Sequence, residues 1–191
     1  MRTAYSPKVL KRDLKNAQEL CDLVGDSEEW RKLILKIIWG KKAIRSGRIV
    51  CRHCGGRSFE KTGAVPERIG RRCLNRECDK SQPLFEGTQF YNEDEKKRSI
   101  DPRDFGFMVC LKSVAPKMPL IVAIDHIALT SKDAARPFWR TLEDPLKKTP
   151  LLKSGKVAQK NRSRRLKVAL RKGTKDVALR RLKIILRKML V

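Results

Sequence analysis

Cys51-Arg-His-Cys54-Gly55-Gly56 and Cys73-Leu-Asn-Arg-Glu-Cys78, with 18 residues between Cys54 and Cys73, decide how this chain is read. Two pairs of closely spaced cysteines meet the demand of a tetrahedral four-thiolate site, because each pair on a tight turn directs both sulfurs at one ion. The second pair encloses four residues instead of two, so its turn is wider, but it stays within the C-x₂₋₄-C range of structural zinc. Gly55 and Gly56 let the backbone close around an ion without a Cβ clash. Four thiolates at Cys51, Cys54, Cys73 and Cys78 leave no open position for water. The expected cofactor is therefore one structural Zn²⁺ that supplies folding free energy and no chemistry. His53, inside the first pair, reads as an exposed or phosphate-facing side chain. Cys21 and Cys110 fall at apolar helical positions and read as core.

Working outward, Ile49 and Val50 form a short strand entering the first pair, preceded by a basic loop with Lys41, Lys42, Arg45 and Arg48. From Cys51 to about Phe90, short strands are broken by Gly and Pro. Upstream, two helices are expected at Val9 to Val24 and Ser27 to Trp39. Asp26 or Ser27 can cap the second, and Glu28 and Glu29 occupy its first turn. Trp30, Leu33, Ile34, Ile37 and Ile38 recur at helical spacing, which makes Trp30 and Trp39 core residues.

Downstream, Asn92 to Arg98 reads as a charged linker. Asp101 is an N-cap with Pro102 at the first helical position, opening a helix that carries Phe105, Met108, Val109 and Leu111 and ends at Ala115 to Pro119. A second helix from about Leu120 to Leu129 and a third from Lys132 to about Leu142, capped by Ser131, complete the outline of a helix-turn-helix. Any small three-helix bundle gives the same outline.

Charge sets the partner class. The 191 residues hold 46 Lys and Arg against 21 Asp and Glu, a formal net charge of +25, which predicts salt-sensitive association with polyanions. From Lys147 to Val191 there are 17 Lys and Arg and one acid, Asp176. Within this arm Ala178, Leu182, Ile185, Leu186 and Met189 share one helical side, and Arg180, Arg181, Lys183, Arg187 and Lys188 take the other. Such a helix could pack at home, pair with a second copy, lie on an anionic membrane or fold onto nucleic acid, and the sequence does not rank the first two. No apolar run approaches the ~20 residues of a membrane span, and Met1 to Lys8 lacks a secretory signal, so no membrane partner is expected. The expected location is cytoplasmic and nucleoid-associated, or nuclear in a eukaryote, where cysteines are thiols or metal ligands. With only two histidines, His53 and His126, no Gly-rich phosphate loop and no paired-base nucleophile, an enzyme is not expected.

The fold class expected is mainly α with a small β zinc ribbon, divided as N-terminal helices (1–40), ribbon (41–92), helix-turn-helix-like bundle (99–145) and basic tail (146–191). Aromatics at 6% suggest small cores over one large aromatic core. Over roughly residues 15 to 145 the chain resembles the N-terminal part of insertion-sequence transposases that carry a transposase zinc-ribbon domain followed by a helix-turn-helix. The matching features are Trp39, Cys51-Arg-His-Cys54-Gly55, Cys73 and Cys78, Leu84-Phe85-Glu-Gly87-Thr88, and Ser131-Lys132-Asp133-Ala134 as the turn into a recognition helix. The chain departs from that family in its longer second cysteine pair, in Pro137 within the recognition helix, and in lacking an RNase-H-like catalytic domain. The resemblance thus implies DNA recognition without strand transfer, as in a regulator, an accessory factor or a truncated transposase.

Lys132, Arg136 and Arg140 on the third helix and Arg162, Arg164 and Arg165 in the tail are the candidate nucleic-acid contacts. Each is otherwise a solvated surface charge. Duplex DNA is the favoured partner. A structural RNA-binding or ribosome-associated protein is the alternative, and a transposase subunit completed by another chain is a third.

Overall fold

The computed structural model describes residues 6–40, 44–45, 48–51, 53–56, 59–61, 71–91, 100–127, 131–143, 164–165, 167–170 and 174–190. The expected linker at 92–98 and Arg162 lie outside them. Among the described residues six helices carry the architecture: α1 (Pro7–Asp22), α2 (Ser27–Ile38), α3 (Pro102–Val114), α4 (Leu120–Ile124), α5 (Lys132–Glu143) and α6 (Lys175–Leu190), with residues 164–165 and 167–170 also helical. A hairpin of β1 (Ile44–Arg45) and β2 (Arg48–Ile49) precedes a three-stranded antiparallel sheet of β3 (Phe59–Lys61), β4 (Arg71–Cys73) and β5 (Ser81–Gln82) in the order β3-β4-β5. The register pairs Phe59 with Cys73 and Arg72 with Ser81.

Local signals fix the helix starts. Asp26 accepts from the Glu29 amide at 2.9 Å and opens α2. Asp101 accepts from the amides of Arg103 and Asp104 ahead of Pro102, and the same Oδ1 takes the Ser27 hydroxyl at 2.8 Å, tying the starts of α2 and α3 together. The Ala134 amide donates to Ser131 Oγ, as expected for α5. α4 stops at Ile124, five residues before the expected Leu129. The amides of His126 and Ile127 bond back to Ala123 and Ile124 in tight turns, and Asp125 pairs with Lys132 at 2.5 Å, so the chain bends where its apolar pattern would have allowed helix.

α3 is the centre. Phe105, Phe107, Met108, Val109, Cys110, Leu111 and Val114 are all buried, as a helix apolar all round must be. Lys112, also buried, lies 4.9 Å over the Trp139 ring, where the ring's negative face favours its charge. α1, α2, α5 and α6 pack against α3, and their apolar residues belong to one continuous cluster. Helices from segments 1–40, 99–145 and 146–191 therefore share a core. Its aromatic part joins distant sequence: Phe85, Phe90, Phe105 and Phe138 meet with ring centroids 4.7 to 6.3 Å apart. The 6% of aromatic residues is concentrated instead of scattered, so the expectation of small separate cores does not describe the helices.

α6 packs at home. Ala178, Leu182, Leu186, Met189 and Leu190 are buried against α2 and α3, and Gln89 Nε2 donates to the Met189 carbonyl at 2.9 Å. The segment before it is pinned as well, through Lys167 Nζ to the buried carboxylate of Asp13 on α1, 2.7 Å. Lys167→Met should cost about 1–3 kcal/mol, because it removes the 2.7 Å ion pair from a carboxylate that stays buried. A chemical-denaturation midpoint unchanged from the parent would show the pair contributes nothing.

Candidate metal centre and basic surface

The first cysteine pair lies between β2 and β3; of the second, Cys73 ends β4 and Cys78 lies between β4 and β5. In the first turn the Gly55 amide donates to the Cys51 carbonyl and the Cys51 amide to the Gly56 carbonyl, both at 2.8 Å. Gly55 takes φ +71°, the left-handed region where a side chain is strained. A Cβ on Gly56 would sit 3.2 Å from Cys54 Sγ and 3.6 Å from Cys73 Sγ, so glycine leaves room for both sulfurs. In the second turn Asn75 absorbs the two extra residues: its side chain accepts from the Glu77 amide, and its carbonyl accepts from the amides of Cys78 and Asp79. Asparagine is suited to such a turn because its side chain mimics a backbone carbonyl. That use of Asn75 went unnoticed in the sequence, although the residue type is the signal for it.

The four sulfurs lie within 4.8 Å of one another, with Cys51 to Cys78 at 3.7 Å and Cys54 to Cys73 at 3.5 Å. A tetrahedral ion with bonds of about 2.3 Å separates its ligand atoms by about 3.8 Å, so this set can hold a metal ion. The thiols differ in acidity. The Gly56 amide, donating at 3.4 Å, holds Cys54 down to about 7. Cys73 rises to about 12, since the Asn75 amide lowers it less than burial and the Cys54 and Cys51 sulfurs raise it. Cys78 also rises, the Lys80 amide being outweighed by burial and the Cys51 and Cys54 sulfurs. Metal ligation requires thiolates, so loading at pH 7 should release at least the two protons of Cys73 and Cys78 per ion, and affinity should fall as pH falls. A pH-indicator titration measures this directly. Release of fewer than two protons would show that those sulfurs do not ligate.

The centre is separate from the apolar core. Val50, Cys51 and Cys73 are buried but stand outside the helical cluster, while Leu84 and Phe85, just past β5, enter it. His53 is exposed, and Cys21 and Cys110 are buried core residues as expected. His126 is exposed in the turn after α4.

The basic candidates divide between two places. On α5, Ala135, Phe138, Trp139 and Leu142 face the core, and Lys132, Arg136 and Arg140 are exposed. The helix runs through Pro137, whose missing N–H leaves the carbonyl of exposed Asp133 without its helical donor. Lys132 pairs with Asp125, and Arg136 lies 3.6 Å from Asp133. Arg164 and Arg165 are exposed on the helical segment before α6. Arg181 and Thr174 adjoin them, brought there only by the fold.

The chain matches no family model, no curated protein and no solved structure.

Proposed function

We propose that the protein is a non-catalytic nucleic-acid-binding protein, directed to duplex DNA, in which a structural zinc ion organises a ribbon formed by the cysteine turns and β3-β4-β5. The observation that carries this is the division of α5 into a core face and a basic face. Lys132, Arg136 and Arg140, one turn apart, all remain at the surface of a chain of net charge +25. Their carboxylate partners do not oppose the role, since exposed pairs contribute about 0–1 kcal/mol and can exchange for phosphates. α4 and α5 serve as the helix-turn-helix of this reading, with α5 toward the major groove. The resemblance to the DNA-recognition part of insertion-sequence transposases agrees with it, and implies a regulator or accessory factor.

Zinc is the metal of this reading because four thiolates form a soft, closed set with the spacing of a tetrahedral ion. Among the described residues no helix is long and apolar enough to cross a membrane.

Binding of the metal-loaded protein to labelled duplex DNA and to structured RNA of equal length, across salt concentrations, tests the proposal. Duplex DNA should bind more tightly, and Lys132→Ala, Arg136→Ala and Arg140→Ala together should reduce the salt slope by about 2–3. Tighter binding of RNA would favour the ribosome-associated alternative. A triple variant with unchanged slope would remove α5 from the interface.

A further inference from the structure

Residues 164–165 and 167–170 run as helix and return through Thr174 into α6. Between these two walls lies an open groove of about 490 Å³, edged by Arg164, Arg165 and Arg181, with Val168 and Val177 on its apolar lining. No carboxylate lines the groove among the described residues, and Asp176, exposed on the first turn of α6, is not part of it. Three like charges around one concavity repel one another unless an anion lies between them.

The walls are held in place. Thr174 donates to the Ala169 carbonyl through both its amide and its hydroxyl, at 3.1 and 3.0 Å, closing the turn. Its own carbonyl accepts from the amides of Val177 and Ala178, which starts the 16-residue α6 and sets that helix's positive end beside the arginines. Ala169, Ala178 and Leu182 are buried, and Lys167 is tied to Asp13, so both walls are anchored to the core. An anion entering here pays little ordering cost.

We propose that this groove binds the phosphodiester backbone of a nucleic acid, with guanidinium forks on phosphate oxygens and Val168 and Val177 against sugar C–H faces. The inference rests on the nucleic-acid reading above and gives it a second contact surface, apart from α5. The lining decides the ligand class. Arginine forks match phosphate oxygens in pairs, while Val168 and Val177, 40% and 39% exposed, suit a ligand whose charges are joined by apolar links. A free inorganic anion would leave that apolar lining without a partner.

The test uses the full-length, metal-loaded chain with three variants. Arg164→Ala, Arg165→Ala and Arg181→Ala are combined in the first. Val177→Asp alone, which places a carboxylate in the groove and keeps every arginine, is the second. The third, Lys11→Ala with Lys15→Ala and Lys36→Ala, removes the same charge from exposed positions on α1 and α2. Thermal unfolding confirms that each is folded. The triple arginine variant should bind a labelled oligonucleotide more than tenfold more weakly and lose about 2–3 from the salt slope, and Val177→Asp should weaken binding several-fold. The lysine variant should lose less than about threefold. Equal losses in the arginine and lysine triples would mean net charge alone acts, and would overturn the groove while leaving the functional proposal standing. Displacement of the oligonucleotide by polyglutamate at equal charge concentration would also overturn it, in favour of an acidic peptide site. A parent protein that binds no nucleic acid would overturn the functional proposal itself.

Discussion

Cys73→Ser should abolish stoichiometric metal binding and unfold the segment from Cys51 to Gln82, while the helices keep their far-ultraviolet signal. Structural four-ligand zinc sites contribute about 10–16 kcal/mol of apparent binding free energy in small peptides, more than many domains have in total stability. Among its described residues this segment has little else to hold it. Val50, Cys51 and Cys73 are its buried apolar residues among those described up to Gln82, and none of them joins the helical cluster. Its strands have only two or three residues each, too short to persist alone. Cys73 is the most telling position, because it ends β4, faces Cys54 Sγ at 3.5 Å and donates its amide to the Lys80 carbonyl, so sulfur, sheet and second turn converge there. Metal content per chain, followed with a chromogenic chelator, should fall from one to zero, and amide signals from 51–82 should collapse. Cys110→Ser is the control: it should weaken the core but leave the metal. A Cys73→Ser protein that retains one tightly bound ion would refute the four-thiolate site.

The parts of the molecule that were legible in the sequence are those whose cause is local. Asp26, Asp101 and Ser131 cap the helices they precede, because a cap needs only a side-chain oxygen and an amide two or three residues on. The cysteine spacing foretold the sulfur cluster for the same reason, each pair being one turn. The interior of the fold was less legible. α3 carries apolar residues on every side, Phe105 to Leu111, but recognising it as the centre requires knowing that α1, α2, α5 and α6 all need a partner. The end of α4 at Ile124 lies in the tight turns that the His126 and Ile127 amides close onto Ala123 and Ile124, which no apolar periodicity reports. Lys167 and Asp13 are 154 positions apart, and the phenylalanine cluster joins the exit of the cysteine region to α3 and α5. The two alternatives for α6, packing at home or offering its apolar side elsewhere, were equal in sequence because amphipathicity says only that one side is buried. Burial of Leu182 and Leu186 against α2 and α3 gives that side a partner within the chain.

Gly106→Ala should destabilise the protein although alanine is the better helix former by about 1 kcal/mol. Gly106 lies inside α3, where a glycine needs a reason, and the reason is Trp30. A Cβ at position 106 would stand 2.4 Å from two ring carbons of Trp30 and 2.6 Å from a third. The ring cannot easily withdraw: Trp30 is fully buried, and its Nε1–H donates to the Cys21 carbonyl at 3.3 Å. Admitting the methyl group must shift α2 away from α3 or break that bond, and overpacking of this kind costs about 1–3 kcal/mol, occasionally more. The clash is close enough to place the net effect near 2 kcal/mol of destabilisation, or a fall of roughly 4–8 °C in Tm for a chain of this size. Trp30→Ala should cost about 3–5 kcal/mol by leaving a cavity. Adding Gly106→Ala to it should then be neutral or stabilising, because the obstacle is gone and the helix propensity remains, giving a coupling of about 1–3 kcal/mol between the two positions. Additive losses would mean that the ring and the glycine do not touch. Because α2 also supports α6, the Gly106→Ala protein should lose the burial of α6 at a lower temperature than the parent, and the Trp30→Ala background should cancel the part due to Gly106.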